Sequence, residues 1–98
     1  MPEIVRENHV SHGAYRAAVD GTVHKAELTW VAHGQVRLAN HTYVPDEARG
    51  KGIAAALVDA LIADARAEGF KIVPQCSYVA AAFRRHPEWS DVLADTPS

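Results

Sequence analysis

Arg49-Gly50-Lys51-Gly52-Ile53-Ala54 is the stretch whose reading decides the fold. It lies between two runs of opposite period. Upstream, Val36–Val44 reads as a strand closed by Pro45-Asp46-Glu47. Downstream, Lys51–Glu68 reads as a helix, with Ile53, Leu57 and Leu61 in one apolar column and Ala54, Val58 and Ile62 beside it. Gly69 follows as a left-handed stop, and Phe70–Gln75 reads as a short strand entered directly from the helix. Strand, helix and strand make a parallel unit, right-handed by rule. The glycine-containing turn then sits at the carboxyl end of a parallel strand, where ligands commonly settle.

Upstream of that unit, the chain reads as an antiparallel meander. Ile4–His9 is a short strand ended by Ser11-His12-Gly13. Tyr15–Val19 and Val23–Val31 alternate in character and flank Asp20-Gly21, a strong hairpin signal. His33-Gly34-Gln35 is the next turn. Beyond the fifth strand, Val79–Arg85 reads as a second helix closed by His86-Pro87. From Glu88 onward the reading is irregular chain, with Trp89, Val92 and Leu93 able to fold back onto the core. The expected fold class is α+β (mixed α/β): a four-strand meander, a helix, a parallel fifth strand and a C-terminal helix.

Residues 1–98 are expected to form a single domain. The hydrophobic fraction is 48%, but 18 of those residues are alanine, so the core is thin. Ten basic residues oppose twelve acidic ones and both signs are spread evenly along the chain, which argues against nucleic-acid and anionic-membrane binding. One cysteine, Cys76, excludes an internal disulfide and a thiolate zinc site. The histidines show no paired metal-ligand spacing, so no metal is expected. The N-terminal MPEIVRENHV lacks the pattern of a signal peptide, and the expected compartment is cytoplasmic.

The turn itself favours an anion. Gly50 and Gly52 permit a tight turn without crowding a ligand, and the unpaired N–H groups of a first helical turn attract negative charge. Arg49 and Lys51 add positive charge. A diphosphate-bearing ligand uses all of these features; a plain turn with two solvated cations is the alternative. A nucleotide P-loop is excluded, because positions 45–49 hold no glycine and Gly52 follows Lys51 where Ser or Thr is needed. The dinucleotide fingerprint fails for want of a third glycine.

Arg49-x-x-Gly52-x-Ala54 resembles the pyrophosphate motif Arg/Gln-x-x-Gly-x-Gly/Ala of the GNAT N-acetyltransferase superfamily. His41-Thr42-Tyr43-Val44-Pro45, Pro74-Gln75-Cys76-Ser77-Tyr78-Val79 and Arg85-His86-Pro87-Glu88 are similar to a compact subgroup of that superfamily. The resemblance runs from the first strand to Leu93. It implies acetyl-CoA (or coenzyme A) as cofactor, an amine as acceptor, and fourth and fifth strands that splay to admit the pantetheine arm. Pro74 lacks the N–H needed to extend the ladder, which gives the splay a physical cause.

On that reading Val44, Arg49, Gly50, Lys51, Gly52, Ile53 and Ala54 bind the cofactor, with Cys76, Arg84 and Arg85 as further contacts. The sequence departs from larger members in two respects. Only Ser11-His12-Gly13 stands where they carry two acceptor-site helices, and Phe83 occupies the position of their tyrosine acid. Cys76 and His41 are the catalytic candidates: a thiol that a nearby imidazole could activate, or an imidazole acting as base. The expected function is acetyl transfer to an amine, directly or through Cys76. A non-catalytic CoA-binding module acting through a protein partner is the alternative. An open edge strand allows either a monomer or a weak homodimer.

Overall fold

A computed structural model describes residues 3–94. Five strands form one sheet in sequence order: β1 (Ile4–Asn8), β2 (His12–Ala17), β3 (Ala26–His33), β4 (Val36–Tyr43) and β5 (Lys71–Pro74). The first four are antiparallel, and β5 joins β4 in parallel. Helix α1 (Ile53–Glu68) connects β4 to β5, and α2 (Ser77–Arg85) follows. This is the α+β architecture expected. The tail is more ordered than the sequence implied: Pro87–Val92 forms a 3-10 helix that buries Trp89 and Val92.

One face of the sheet carries the core. Tyr15, Ala17, Ala26, Leu28 and Trp30 alternate inward and meet Leu57, Val58, Leu61 and Ile62 of α1. Each such aliphatic side chain removed from water contributes about 1.5–3 kcal/mol. At the C-terminal end of α1, Arg37 is sandwiched between Trp30 and Phe70, 3.9 and 4.0 Å from the two ring centroids. Gly69 ends the helix in the left-handed conformation, φ 81°.

The expected tight hairpin at Asp20-Gly21 is corrected. β2 ends at Ala17 and β3 starts at Ala26, so residues 18–25 form a longer loop. The cause is Val19, which leaves the strand to enter the core, while Val23 stays exposed. Strict pairing around Asp20-Gly21 would have held both valines in the ladder. Helix α1 also starts later than expected, at Ile53, because Gly52 is its left-handed N-cap.

A polar cluster fastens the edge strand to α1. The Tyr15 hydroxyl donates to Asp64 Oδ2 at 2.8 Å, and Arg6 donates to both Asp64 oxygens at 2.8 and 3.1 Å. Burial raises the Asp64 pKa, but the Arg6 and Tyr15 hydrogen bonds outweigh it and hold the carboxyl below its ordinary value. Burial, followed by the bond to Asp64, drives the Tyr15 hydroxyl upward. Asp64→Ala would strand the buried tyrosine hydroxyl and is expected to destabilise the fold by about 2 kcal/mol in urea melts. The sign of the pH dependence follows from the lowered carboxyl. Its contribution is complete above the unfolded pKa of about 4 and is lost as pH falls through the folded value. The wild-type and Asp64→Ala stabilities should therefore converge in acid.

Candidate active site

The parallel ladder between β4 and β5 is short. It runs from Val36–Lys71 to Ala39–Pro74, after which β4 continues to Tyr43 paired with β3 but not with β5. Pro74 has no N–H to offer, and the chain turns away as the amides of Gln75 and Cys76 both donate to Ala39 O, at 3.0 and 2.9 Å. The two strands therefore part at Ala39. β4 also bulges there: Thr29 pairs with His41 and Trp30 with Ala39, leaving Asn40 as the extra residue. The Thr29 hydroxyl fixes the bulge by donating to Asn40 Oδ1 at 2.7 Å.

A cavity of about 440 Å³ opens between this free end of β4, the turn and the first residues of both helices. Val44, Arg49, Gly50, Gly52, Ile53 and Ala54 line it, as nominated from sequence, together with Thr42, Ala48, Ala55 and Tyr78. Gly50 and Gly52 adopt φ of 79° and 77°. A side chain at Gly52 would cost about 1–2 kcal/mol in backbone strain, although its Cβ would meet no atom within 4 Å. The first amide bonded within α1 is that of Ala56, to Gly52 O at 3.0 Å. Those of Ile53, Ala54 and Ala55 have no helical partner, no side chain caps them, and the first turn holds no acidic residue. Three orphaned donors on the wall of an open cavity fit a phosphate-bearing ligand.

Arg49 stands beside them with its side chain 75% exposed, Nε 3.1 Å from Asp46 Oδ1. Such an exposed pair is worth no more than about 1 kcal/mol, so an arriving phosphate can take the guanidinium over. Two substitutions follow from this. Arg49→Ala is expected to weaken CoA binding about tenfold and to flatten its salt dependence, whereas Asp46→Asn should tighten it by up to about fivefold. Calorimetric titrations at two ionic strengths measure both.

The remaining nominated residues lie elsewhere. Lys51 is exposed on the neighbouring surface with Ile4 and Asp59. Arg84 borders a separate hollow with Val73, Pro74, Phe83 and Leu93, and Arg85 is exposed in the last turn of α2. Phe83 is buried against Trp89, edge to face at 5.6 Å.

Cys76 and His41 are not brought together. Cys76 is the N-cap of α2 and is partly buried. Its sulfur is 3.4 Å from the Thr42 hydroxyl. Strict alternation from the buried Ala39 would turn His41 to the same face. The extra residue at Asn40 resets the parity, so Thr42, paired with Leu28, takes that face and His41 is exposed on the other. Burial pushes the Cys76 thiol up, but the Thr42 hydroxyl and the amides of Val79, Tyr78 and Thr42 more than offset this, leaving it below its ordinary value. No side-chain capping hydrogen bond closes at Cys76, so the helix amides act by proximity more than by a formed bond.

Sequence reasoning missed Thr42 and Tyr78. Starting the last helix at Val79 left Tyr78 in a connection, whereas the helix begins at Ser77 and turns Tyr78 toward the cavity. Among the described residues no group of three or more His, Cys, Asp and Glu could hold a metal. No helix there is long and apolar enough to cross a membrane.

A family model described as GCN5-related N-acetyl-transferase matches residues 14–92. Among solved structures, the chain is similar to a GCN5-like protein from Staphylococcus aureus determined by solution NMR. The two share 22% identity over 99% of this chain and 94% of that one, with a TM-score of 0.71.

Proposed function

Because the chain belongs to the GCN5-related N-acetyltransferase family, we propose that it takes acetyl from acetyl-CoA and passes it to an amine by way of Cys76. The observation that carries this reading is the placement of the sulfur. Cys76 sits at the β4–β5 fork, behind the cavity wall, with its sulfur 3.4 Å from the hydroxyl of the lining residue Thr42 and its thiol below its ordinary value. Among the described residues, none that line that cavity offers a carboxylate or an imidazole as a base for direct attack by an amine.

Within this reading, the amides of Ile53, Ala54 and Ala55 and the Arg49 guanidinium hold the pyrophosphate. Val44 and the edge of β4 that β5 leaves uncovered beyond Ala39 receive the pantetheine amides. Acetyl-CoA supplies an acetyl group activated as a thioester. The Cys76 thiolate attacks the acetyl carbonyl carbon; a new C–S bond forms, the old one breaks, and CoA leaves as a thiolate that takes a proton from water. An amine then attacks the acetylated cysteine, loses a proton to solvent and restores the thiolate. Exchange between two thioesters is nearly balanced in energy, so the first step needs no strong acid. This suits a chain with phenylalanine at position 83.

The test is CoA release from acetyl-CoA, followed with a thiol reagent, in the presence and absence of polyamines, small amines and lysine peptides. Release that depends on the amine supports transfer. Tight binding of acetyl-CoA without release for any acceptor would instead favour a CoA-binding module acting through a protein partner.

A further inference from the structure

We infer that Thr42 is a positioning residue for Cys76, its hydroxyl holding the sulfur at the fork and supporting the anionic form. This rests on the reading of Cys76 as the nucleophile. The backbone of Cys76 is pinned on both sides: its N–H donates to Ala39 O at 2.9 Å and its carbonyl accepts from Ala80 N–H at 2.9 Å. Only side-chain rotation is left to place the sulfur, and the Thr42 hydroxyl, 3.4 Å away, is the one side-chain partner found for it among the described residues. The same hydroxyl makes no other hydrogen bond recorded there.

A hydroxyl suits both protonation states. It accepts from the thiol and, by rotating about its C–O bond, donates to the thiolate. Valine has the same shape without the donor. The groups facing the sulfur from each packed element carry no formal charge near neutral pH. β4 offers the Thr42 hydroxyl and amide, and α2 offers the amides of Tyr78 and Val79. His41 leaves β4 on the opposite face, and Arg84 and Arg85 lie at the far end of α2. The arrangement therefore stabilises a thiolate without the imidazole partner that the sequence suggested.

Alkylation of the full chain by iodoacetamide across pH, without acetyl-CoA and read by intact-protein mass, isolates the effect. Relative to wild type, Thr42→Val is expected to move the reactivity midpoint to higher pH and to slow alkylation at pH 7 about tenfold, the worth of one hydrogen bond to a charged group. Its plateau rate in alkali should be retained or raised, because a less stabilised thiolate is the stronger nucleophile. Thr42→Ser should keep the wild-type midpoint, and Thr42→Ala should behave as Thr42→Val does. A wild-type midpoint in both Thr42→Val and Thr42→Ala would overturn the inference, as would an equal displacement in Thr42→Ser. Melting curves identify any variant that fails to fold, and the other two then decide. A displaced midpoint in an enzyme whose turnover survives Cys76→Ala would sink the nucleophile reading while leaving the Thr42–Cys76 coupling intact.

Discussion

Acetyl-CoA at a hundred times its dissociation constant is expected to stabilise the fold by about 2.7 kcal/mol, a rise in melting temperature of roughly 10–20 °C for a domain of this size. The size of the effect follows from mass action, because the unfolded chain has no cavity in which to gather the ligand. The donors of the first turn of α1 are already in place and unpartnered. Binding therefore orders little backbone, and most of the interaction energy is available as affinity. Free CoA should stabilise almost as well, since the pyrophosphate contacts do not involve the acetyl group. A melting temperature unmoved by millimolar acetyl-CoA would contradict the assignment of the cavity.

Cys76→Ala is expected to reduce turnover by more than about a hundredfold, as loss of a nucleophile does, while CoA affinity stays within a factor of about two. The two effects separate because the sulfur lies at the N-cap of α2, whereas the phosphate donors lie at the start of α1. Intact-protein mass spectrometry after brief incubation with acetyl-CoA, without acceptor, gives an independent view. Wild type should gain one acetyl group that hydroxylamine removes, and Cys76→Ala should gain none. An active Cys76→Ala enzyme with no adduct on wild type would eliminate the cysteine route and leave direct attack by the amine.

The parts of this site that were legible in the sequence are those fixed by local rules. Arg49-Gly50-Lys51-Gly52 declared a turn because two glycines stand there in left-handed conformations that other residues resist. Leu57, Val58, Leu61 and Ile62 declared α1 because their spacing makes one buried stripe. Pro74 marked the end of the fifth strand's pairing, and the ladder does stop at Ala39–Pro74.

What escaped depends on partners distant in the chain. A bulge at Asn40 is defined by its register against Thr29 and Trp30, and nothing in Leu38-Ala39-Asn40-His41 announces it. That single extra residue exchanges the faces of His41 and Thr42, and with them the partner of Cys76. The burial of Val19, which opened the expected hairpin into a loop, is likewise a tertiary preference that overrode a sound local signal.

The central claim is that CoA lies against the first turn of α1, and amide chemical-shift mapping of the isotope-labelled protein tests it most directly. On titration with CoA, the amides of Gly52, Ile53, Ala54 and Ala55 are expected to show the largest displacements, with smaller ones at Val44 and Tyr78 along the cavity wall. Displacements confined to other surfaces, such as the hollow beside Arg84, or no displacement at saturating CoA, would contradict it.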